Sequence, residues 1–255
     1  MIYYFSGTGN SEWIAKKLLE IDDDESLGLV FPVYAWGVPS QVKKGIIELG
    51  KSEQFELQTD TLMGLGKKVS TGSPYVYAVM TCGDDMGYTD KELSGLLSKY
   101  CGLKLSAVFS VHMPNTYVCL PGFDVDSDDI AATKIENTLA RLPQIMSYIA
   151  ERKETTDVHR GVFPLTKSYV LRPFFNKFLI MDKYFRVAKD RCTSCGLCVK
   201  ACPKHNISLA GNVKRPVWKG DCCGCLGCYH VCPKHAIEWG KYTKGKGQKK
   251  RLKDE

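Results

Sequence analysis

The chain has 255 residues, of which 44% are hydrophobic and 25% charged, with a formal net charge of +7. No stretch reaches the ~18 uninterrupted apolar residues that a bilayer-crossing helix needs; the most apolar one, 169–185, is broken by Arg172, Lys177, Asp182 and Lys183. With no basic region before an apolar run at the start, neither a signal peptide nor a membrane span is expected, and the expected location is cytoplasmic.

Residues 1–5 form a short apolar run that predicts a strand, followed by the glycine-rich loop Ser6-Gly7-Thr8-Gly9-Asn10-Ser11. Trp13, Ile14, Leu18 and Leu19 then recur near the helical period. Residues 27–33 read as a buried strand, ended by Pro32 and the turn at Trp36-Gly37-Val38-Pro39, and 42–49 as a helix. Residues 51–74 are polar and read as an irregular insertion. A strand at 75–80 runs into the loop from Thr81 to Gly87, followed by a helix at 89–100, a strand at 103–111 and a long helix at 128–152. Strands alternating with helices imply an α/β fold, a doubly wound parallel sheet covered on both faces. The gap at 22–25 is acidic and too poor in apolar residues for the expected second strand, which therefore reads as vestigial. The resulting division is a first domain at 1–153, a connecting segment at 154–185, a small cysteine-rich α+β domain at 186–240 and a basic tail at 241–255. The aromatic residues of the connecting segment, Phe163, Tyr169, Phe174, Phe175 and Phe178, suggest that it packs.

A glycine-rich loop between a strand and a helix suits a phosphate, because its amides converge where the helix dipole favours negative charge. No Lys follows as a P-loop requires, and Glu12 stands where a dinucleotide fingerprint needs its third glycine. What remains is a loop rich in hydroxyls, with Ser6, Thr8 and Ser11 as donors and Asn10 as an amide, fit for a phosphate monoester without a cation. Ligands of such sheets sit at the carboxyl ends of the strands. Two later strand ends carry suitable groups. Pro32, Val33, Tyr34, Ala35, Trp36 and Gly37 offer aromatic rings that either stack on a planar ligand or pack in the core. Thr81, Cys82, Gly83, Gly87 and Tyr88 offer glycine-freed amides for a ligand's polar edge. Met113 to Tyr117 forms a third strand end that closes the same side.

Nine of the twelve cysteines fall between Cys192 and Cys232. In a reducing compartment such clustering points to metal ligands rather than disulfides. The segment repeats at an interval of 30 residues: Cys192, Cys195, Cys198, Cys202, Pro203, Lys204 and His205 recur as Cys222, Cys225, Cys228, Cys232, Pro233, Lys234 and His235. Both copies read C-x2-C-x2-C-x3-C-P, in which three thiolates hold one iron–sulfur cube and the fourth ligates the other. One cluster is then assigned to Cys192, Cys195, Cys198 and Cys232, the second to Cys222, Cys225, Cys228 and Cys202. Zinc sites use cysteine pairs with longer spacers instead. The repeat aligns Cys223 with Thr193, making it a neighbour and not a ligand; His205 and His235 read as surface residues.

This region resembles the bacterial two-cluster ferredoxins, and the Ser6–Ser11 loop resembles the FMN-phosphate loop of flavodoxins. The whole layout resembles the flavodoxin–ferredoxin fusion proteins of anaerobic bacteria and archaea. The resemblance implies a flavodoxin-like FMN domain joined to two [4Fe-4S] clusters, and electron transfer to or from redox partner proteins. The alternative is an FMN-dependent reductase of a quinone or nitro compound, fed by the clusters. No nucleophile–base set suggests hydrolysis. Residues 1–150 carry 12 Lys/Arg and 19 Asp/Glu, and residues 151–255 carry 23 and 9, so opposite charges favour docking of the two halves. The tail carries no nucleic-acid recognition motif and reads as a solvated, disordered end.

Overall fold

A computed structural model describes residues 1–52, 56 and 61–252. Its main unit is a six-stranded, mostly parallel sheet. Strands β1 (Ile2–Tyr4), β2 (Ser26–Pro32), β4 (Tyr75–Cys82), β5 (Leu105–His112) and β6 (Thr155–Asp157) run parallel, while β3 (Met63–Leu65) lies antiparallel beside β1. The order across the sheet is β3-β1-β2-β4-β5-β6.

Strand alternation divides the core into two layers. Leu29, Phe31, Ala78 and Met80 face helices α2 (Ser40–Leu49) and α3 (Thr89–Cys101), meeting Val42, Ile46, Leu93 and Leu97. Val30, Tyr77, Val79, Phe109 and Val111 face α1 (Asn10–Lys17) and α4 (Asp128–Ala150), meeting Trp13, Ile14, Leu142 and Ile145. The strands are covered on both sides, which is why they read as continuous apolar runs. No helix among the described residues is long and apolar enough to cross a membrane.

Two expectations change. The gap at 22–25 indeed forms no strand, and the sheet edge beside β1 is filled from the supposed irregular insertion, whose described part supplies β3 and ties Ser70 N–H to Asp24 O at 2.6 Å. The rest of that insertion, 53–55 and 57–60, lies outside the described residues. The connecting segment begins inside the sheet, since β6 is its last strand.

The segment's helical part, six residues of π-helix (Thr166–Leu171) continuing into α5 (Arg172–Phe178), packs in a way the sequence did not suggest. Phe163, Tyr169, Phe174 and Phe178 are exposed; of the five aromatics only Phe175 turns inward. Polar side chains hold the segment instead. Ser168 Oγ donates to Trp36 O at 3.1 Å and accepts from Tyr88 N–H at 2.8 Å. Arg172 donates to Val38 O at 2.8 Å and pairs with Glu92, which also accepts Val38 N–H at 2.8 Å and pairs with Lys43. Burial pushes the Glu92 carboxyl up, but hydrogen bonds from Lys43 and Arg172 outweigh it and hold the group below its ordinary range.

Glu92→Ala should therefore release the segment, at a cost of about 2–3 kcal/mol for the lost charged hydrogen bonds, read as a lower urea midpoint and faster amide exchange across 165–178. A depressed carboxyl stabilises the fold above its unfolded pKa and loses that effect as pH falls through the folded value. The gap between wild type and variant should accordingly shrink in acid, below about pH 4.

The second unit follows from the internal repeat. Strand β7 (Phe185–Val187) pairs antiparallel with β10 (Ile237–Trp239), and β8 (Ile207–Ala210) with β9 (Arg215–Trp218). Short helices α6 (Leu197–Lys200) and α7 (Gly227–His230) stand 30 residues apart. Left-handed residues recur at the same offset: Ser194 with Gly224, Gly196 with Leu226, His205 with His235. The two copies thus share backbone shape as well as letters. His205 and His235 are exposed, as expected.

The tail corrects the sequence reading most. Residues 241–252 are folded against both units, and Thr243 is fully buried. Lys246 Nζ donates to the carbonyls of Val118, Leu120 and Phe123 at 2.5–2.7 Å. A run of cations reads as solvated only when nothing collects carbonyls for it; here the loop 118–123 does.

Candidate functional site

The carboxyl ends of β1, β2, β4 and β5 open into one cleft of about 590 Å³, within the usual size range of cofactor sites. Of the residues expected there, Ser6, Gly7, Thr8, Asn10, Ser11, Pro32, Val33, Tyr34, Ala35, Trp36, Thr81, Cys82 and Gly83 line it, together with Met113 to Tyr117. Four do not. Gly9 faces Arg251, Gly37 packs against Arg172, and Gly87 and Tyr88 meet Ser168, so the amide proposed for a ligand's edge at Tyr88 is already taken.

The loop after β1 is held from both sides. Gly9 N–H donates to Ser6 Oγ at 3.1 Å, the Ser11 and Thr81 hydroxyls are 2.8 Å apart, and Asn10 Nδ2 donates to Pro114 O at 3.1 Å. Gly9 takes φ +97° as the N-cap of α1, a conformation that a side chain would strain. The turn after β2 is closed by reciprocal backbone bonds between Tyr34 and Gly37 at 3.1 and 3.2 Å. Within it Ala35 and Trp36 have φ +46° and +55°, the kind of backbone strain that collects at ligand clamps.

Several lining residues were not expected. Asp85 and Lys167 form an ion pair at 2.5 Å, with Lys167 Nζ 5.9 Å from the Trp36 ring. Trp36, Phe175 and Tyr117 form an aromatic wall, with ring centroids 5.6 and 5.8 Å apart. Lys167, Phe175 and Ile180 come from the connecting segment, and Gly224, Cys225 and Leu226 from the cysteine-rich unit. No local sequence pattern places these last six in the cleft, because they arrive there through tertiary docking. Three buried polar atoms in the cleft have no partner among the described residues: Asn10 Oδ1, Asp85 Oδ1 and Tyr117 Oη.

The cysteines gather in two pockets. Cys192, Cys195, Cys198 and Cys232 line one, walled by Leu209, Pro216 and Ile237. Cys202, Cys222, Cys225 and Cys228 line the other, walled by Phe185, Ile207, Trp218 and Leu226. The crossed grouping follows from chain geometry: the proline turn after each fourth cysteine carries it across to the other copy. Cys223 also borders the second pocket. Among the described residues, no three His, Cys, Asp or Glu side chains group closely enough to hold a single ion; the thiols ring a void instead. Backbone amides aim at the sulfurs, with Asn206 N–H to Cys202 Sγ, Ala236 N–H to Cys232 Sγ and Gly224 N–H to Cys222 Sγ, each at 3.3 Å. Trp218 Nε1 is buried at the second pocket, where its N–H is aimed at the Cys228 sulfur.

Burial pushes the Cys198 thiol up to about 11 and Cys222 to about 12, with Cys225 and Cys228 also raised. For Cys225 the hydrogen bond with the neighbouring Cys223 is the larger cause, and burial adds to it. Thiols so placed ionise only against cations, which a bound metal centre supplies. Cys195 is exposed and Cys192 half-buried, whereas Cys225 and Cys228 are buried, so the first pocket lies nearer solvent.

A family model described as a 4Fe-4S dicluster domain matches residues 191–237. No curated protein and no solved structure matches the chain. The C-terminal unit is therefore a 4Fe-4S domain of ferredoxin type, and it sits on an α/β domain that the match does not cover.

Proposed function

We propose that the chain is an electron-transfer protein in which a flavodoxin-like domain binds FMN in the interdomain cleft and exchanges electrons with two [4Fe-4S] clusters. One cluster is held by Cys192, Cys195, Cys198 and Cys232, the other by Cys222, Cys225, Cys228 and Cys202. Redox partner proteins meet the first cluster, at the surface.

One observation carries the reading. Cys225 lines both the cleft and the second cysteine pocket, so a flavin and a cluster would stand on either side of one side chain. The residues also fit the groups. The hydroxyl-rich loop and the first turn of α1 suit a phosphate. Asn10 Oδ1 is free to accept from a ribityl hydroxyl, and Asp85 Oδ1 from the imide N–H of a flavin. Trp36 and Phe175 give the cleft an aromatic flank for a planar ring. The Trp218 N–H directed at Cys228 and the amides at Asn206, Gly224 and Ala236 suit cluster sulfurs, whose reduced state such donors stabilise.

When bound, the flavin supplies one- or two-electron chemistry and each cluster one-electron chemistry, so the pair couples two-electron donors to one-electron acceptors. The protein's task is to hold them in line and keep water out. Tyr34 serves both ends: its ring packs edge-on against Phe5 at 6.2 Å, and it borders the cleft beside the loop of Cys222–Cys225.

Purification without oxygen tests this. The expected product carries one FMN and about eight iron and eight sulfide atoms per chain, with flavin bands over a broad cluster shoulder that bleaches with dithionite. Zinc in place of iron would defeat the cluster assignment. Full iron without flavin, and no uptake of added FMN, would defeat the flavin half alone.

A further inference from the structure

The C-terminal strap reaches from the iron–sulfur unit to the loop after β1. Tyr229 Oη donates to Lys246 O at 3.1 Å, and Gln248 Nε2 donates to the carbonyls of Tyr229 and Cys232 at 2.5 and 3.0 Å. Lys249 N–H donates to His230 Nδ1 at 3.1 Å, so the ring proton sits on Nε2, which donates to Thr116 O at 2.8 Å. These bonds leave little freedom for the next residues. Arg251 then lies across Gly9, with Nε and Cδ 3.1 and 3.4 Å from where a Cβ would stand, and its guanidinium pairs with Glu12. Leu252 packs against the core layer of α1.

Glu12 is the acidic residue in the first turn of α1, directly behind the loop read as the phosphate site. Its charge opposes a phosphate dianion at the same helix end. Lys16 lies 3.4 Å from one Glu12 oxygen, and Arg251 takes the other. The cation that the local motif lacks is thus brought from the far end of the chain.

We propose that Arg251 is a positioning residue for flavin-phosphate affinity: it offsets Glu12 and adds positive charge beside Gly9, so that phosphate binding and docking of the strap reinforce each other. The proposal rests on the FMN reading of the cleft. It acts through charge at the helix N-terminus, where such effects are strongest. By reciprocity, whatever FMN gains from the docked strap the strap gains from FMN.

The test uses the full chain with both clusters loaded, stripped of flavin and titrated by fluorescence quenching with FMN and, separately, with riboflavin, which lacks the phosphate. Arg251→Gln should weaken FMN by about five- to tenfold and leave riboflavin unchanged. Glu12→Gln combined with Arg251→Gln should recover most of the loss. In wild type, FMN but not riboflavin should slow amide exchange across 248–252. Equal losses for both flavins, or no loss for either, would overturn the role of Arg251 while leaving the flavin site intact. A wild-type protein that binds neither flavin, or both equally, would remove the phosphate site itself and the proposal with it.

Discussion

Replacing Cys232 with alanine should strip the cluster of Cys192, Cys195 and Cys198, or leave it an iron short, and spare the cluster of Cys222, Cys225 and Cys228. The expectation runs against sequence proximity, since Cys232 is only four residues from Cys228. It follows from the pockets, where Cys232 lines the first and Cys202 the second. Double variants make the test decisive. Cys198→Ala with Cys232→Ala removes two ligands from one cluster, so about four iron atoms should remain. Cys228→Ala with Cys232→Ala takes one ligand from each, so both clusters should be damaged. If each run served its own cluster, the two double variants would exchange phenotypes. Iron and sulfide analysis with EPR of the reduced protein distinguishes the cases. Flavin content should stay unchanged with Cys198→Ala, whose pocket does not border the cleft.

The grouping of the cysteines into two pockets could be read from the letters because iron–sulfur ligation tolerates little freedom. Four thiols must reach four corners, so the spacing of Cys192, Cys195 and Cys198 and its copy 30 residues on carries the geometry with it. The strand–helix alternation was legible for a related reason. Strands such as β2 and β4 are buried on both faces, and continuous apolar runs like Leu27 to Phe31 have few other places to go.

What stayed hidden depends on partners distant in sequence. Phe174 and Phe178 look like core residues, and Phe175 between them looks no different, yet only Phe175 turns into the cleft. The segment's attachment is written in Ser168, Arg172 and Glu92, polar residues whose bonding partners no periodicity reveals. The tail misled for the same reason. Its lysines suggest solvation, but Lys246 meets three backbone carbonyls that only the folded loop at 118–123 presents. The acidic gap at 22–25 was correctly denied a strand, but β3 had no signal strong enough to be assigned to the edge left open.

The contact between the two units should prove the most sensitive point of all, and it can be probed from either side. A methyl group on Gly7 would overlap the Cβ of Cys225 and stand 2.9 Å from Tyr34 Oη and 3.0 Å from Cys225 Sγ. A methyl group on Gly227 would stand 2.5 Å from Gly7 O. In neither case is the obstacle the yielding end of a long side chain. It is backbone on one side and the buried Cys225 on the other, so the loops must part. Overpacking of this kind costs about 1–3 kcal/mol, which lowers the docked population by about 5- to 150-fold relative to the open one. Gly7→Ala should weaken FMN as well, because Gly7 belongs to the loop proposed to hold the phosphate; Gly227→Ala should not. Both should keep full iron, yet both should slow flavin–cluster exchange in stopped-flow by about tenfold or more. Wild-type rates in both variants, with cofactors loaded, would mean that electrons do not cross at Cys225. A slowing in Gly7→Ala alone would trace the effect to the flavin and not to the contact. Only loss from both sides, with Gly227→Ala still binding FMN normally, makes the touching loops themselves the route between the cofactors.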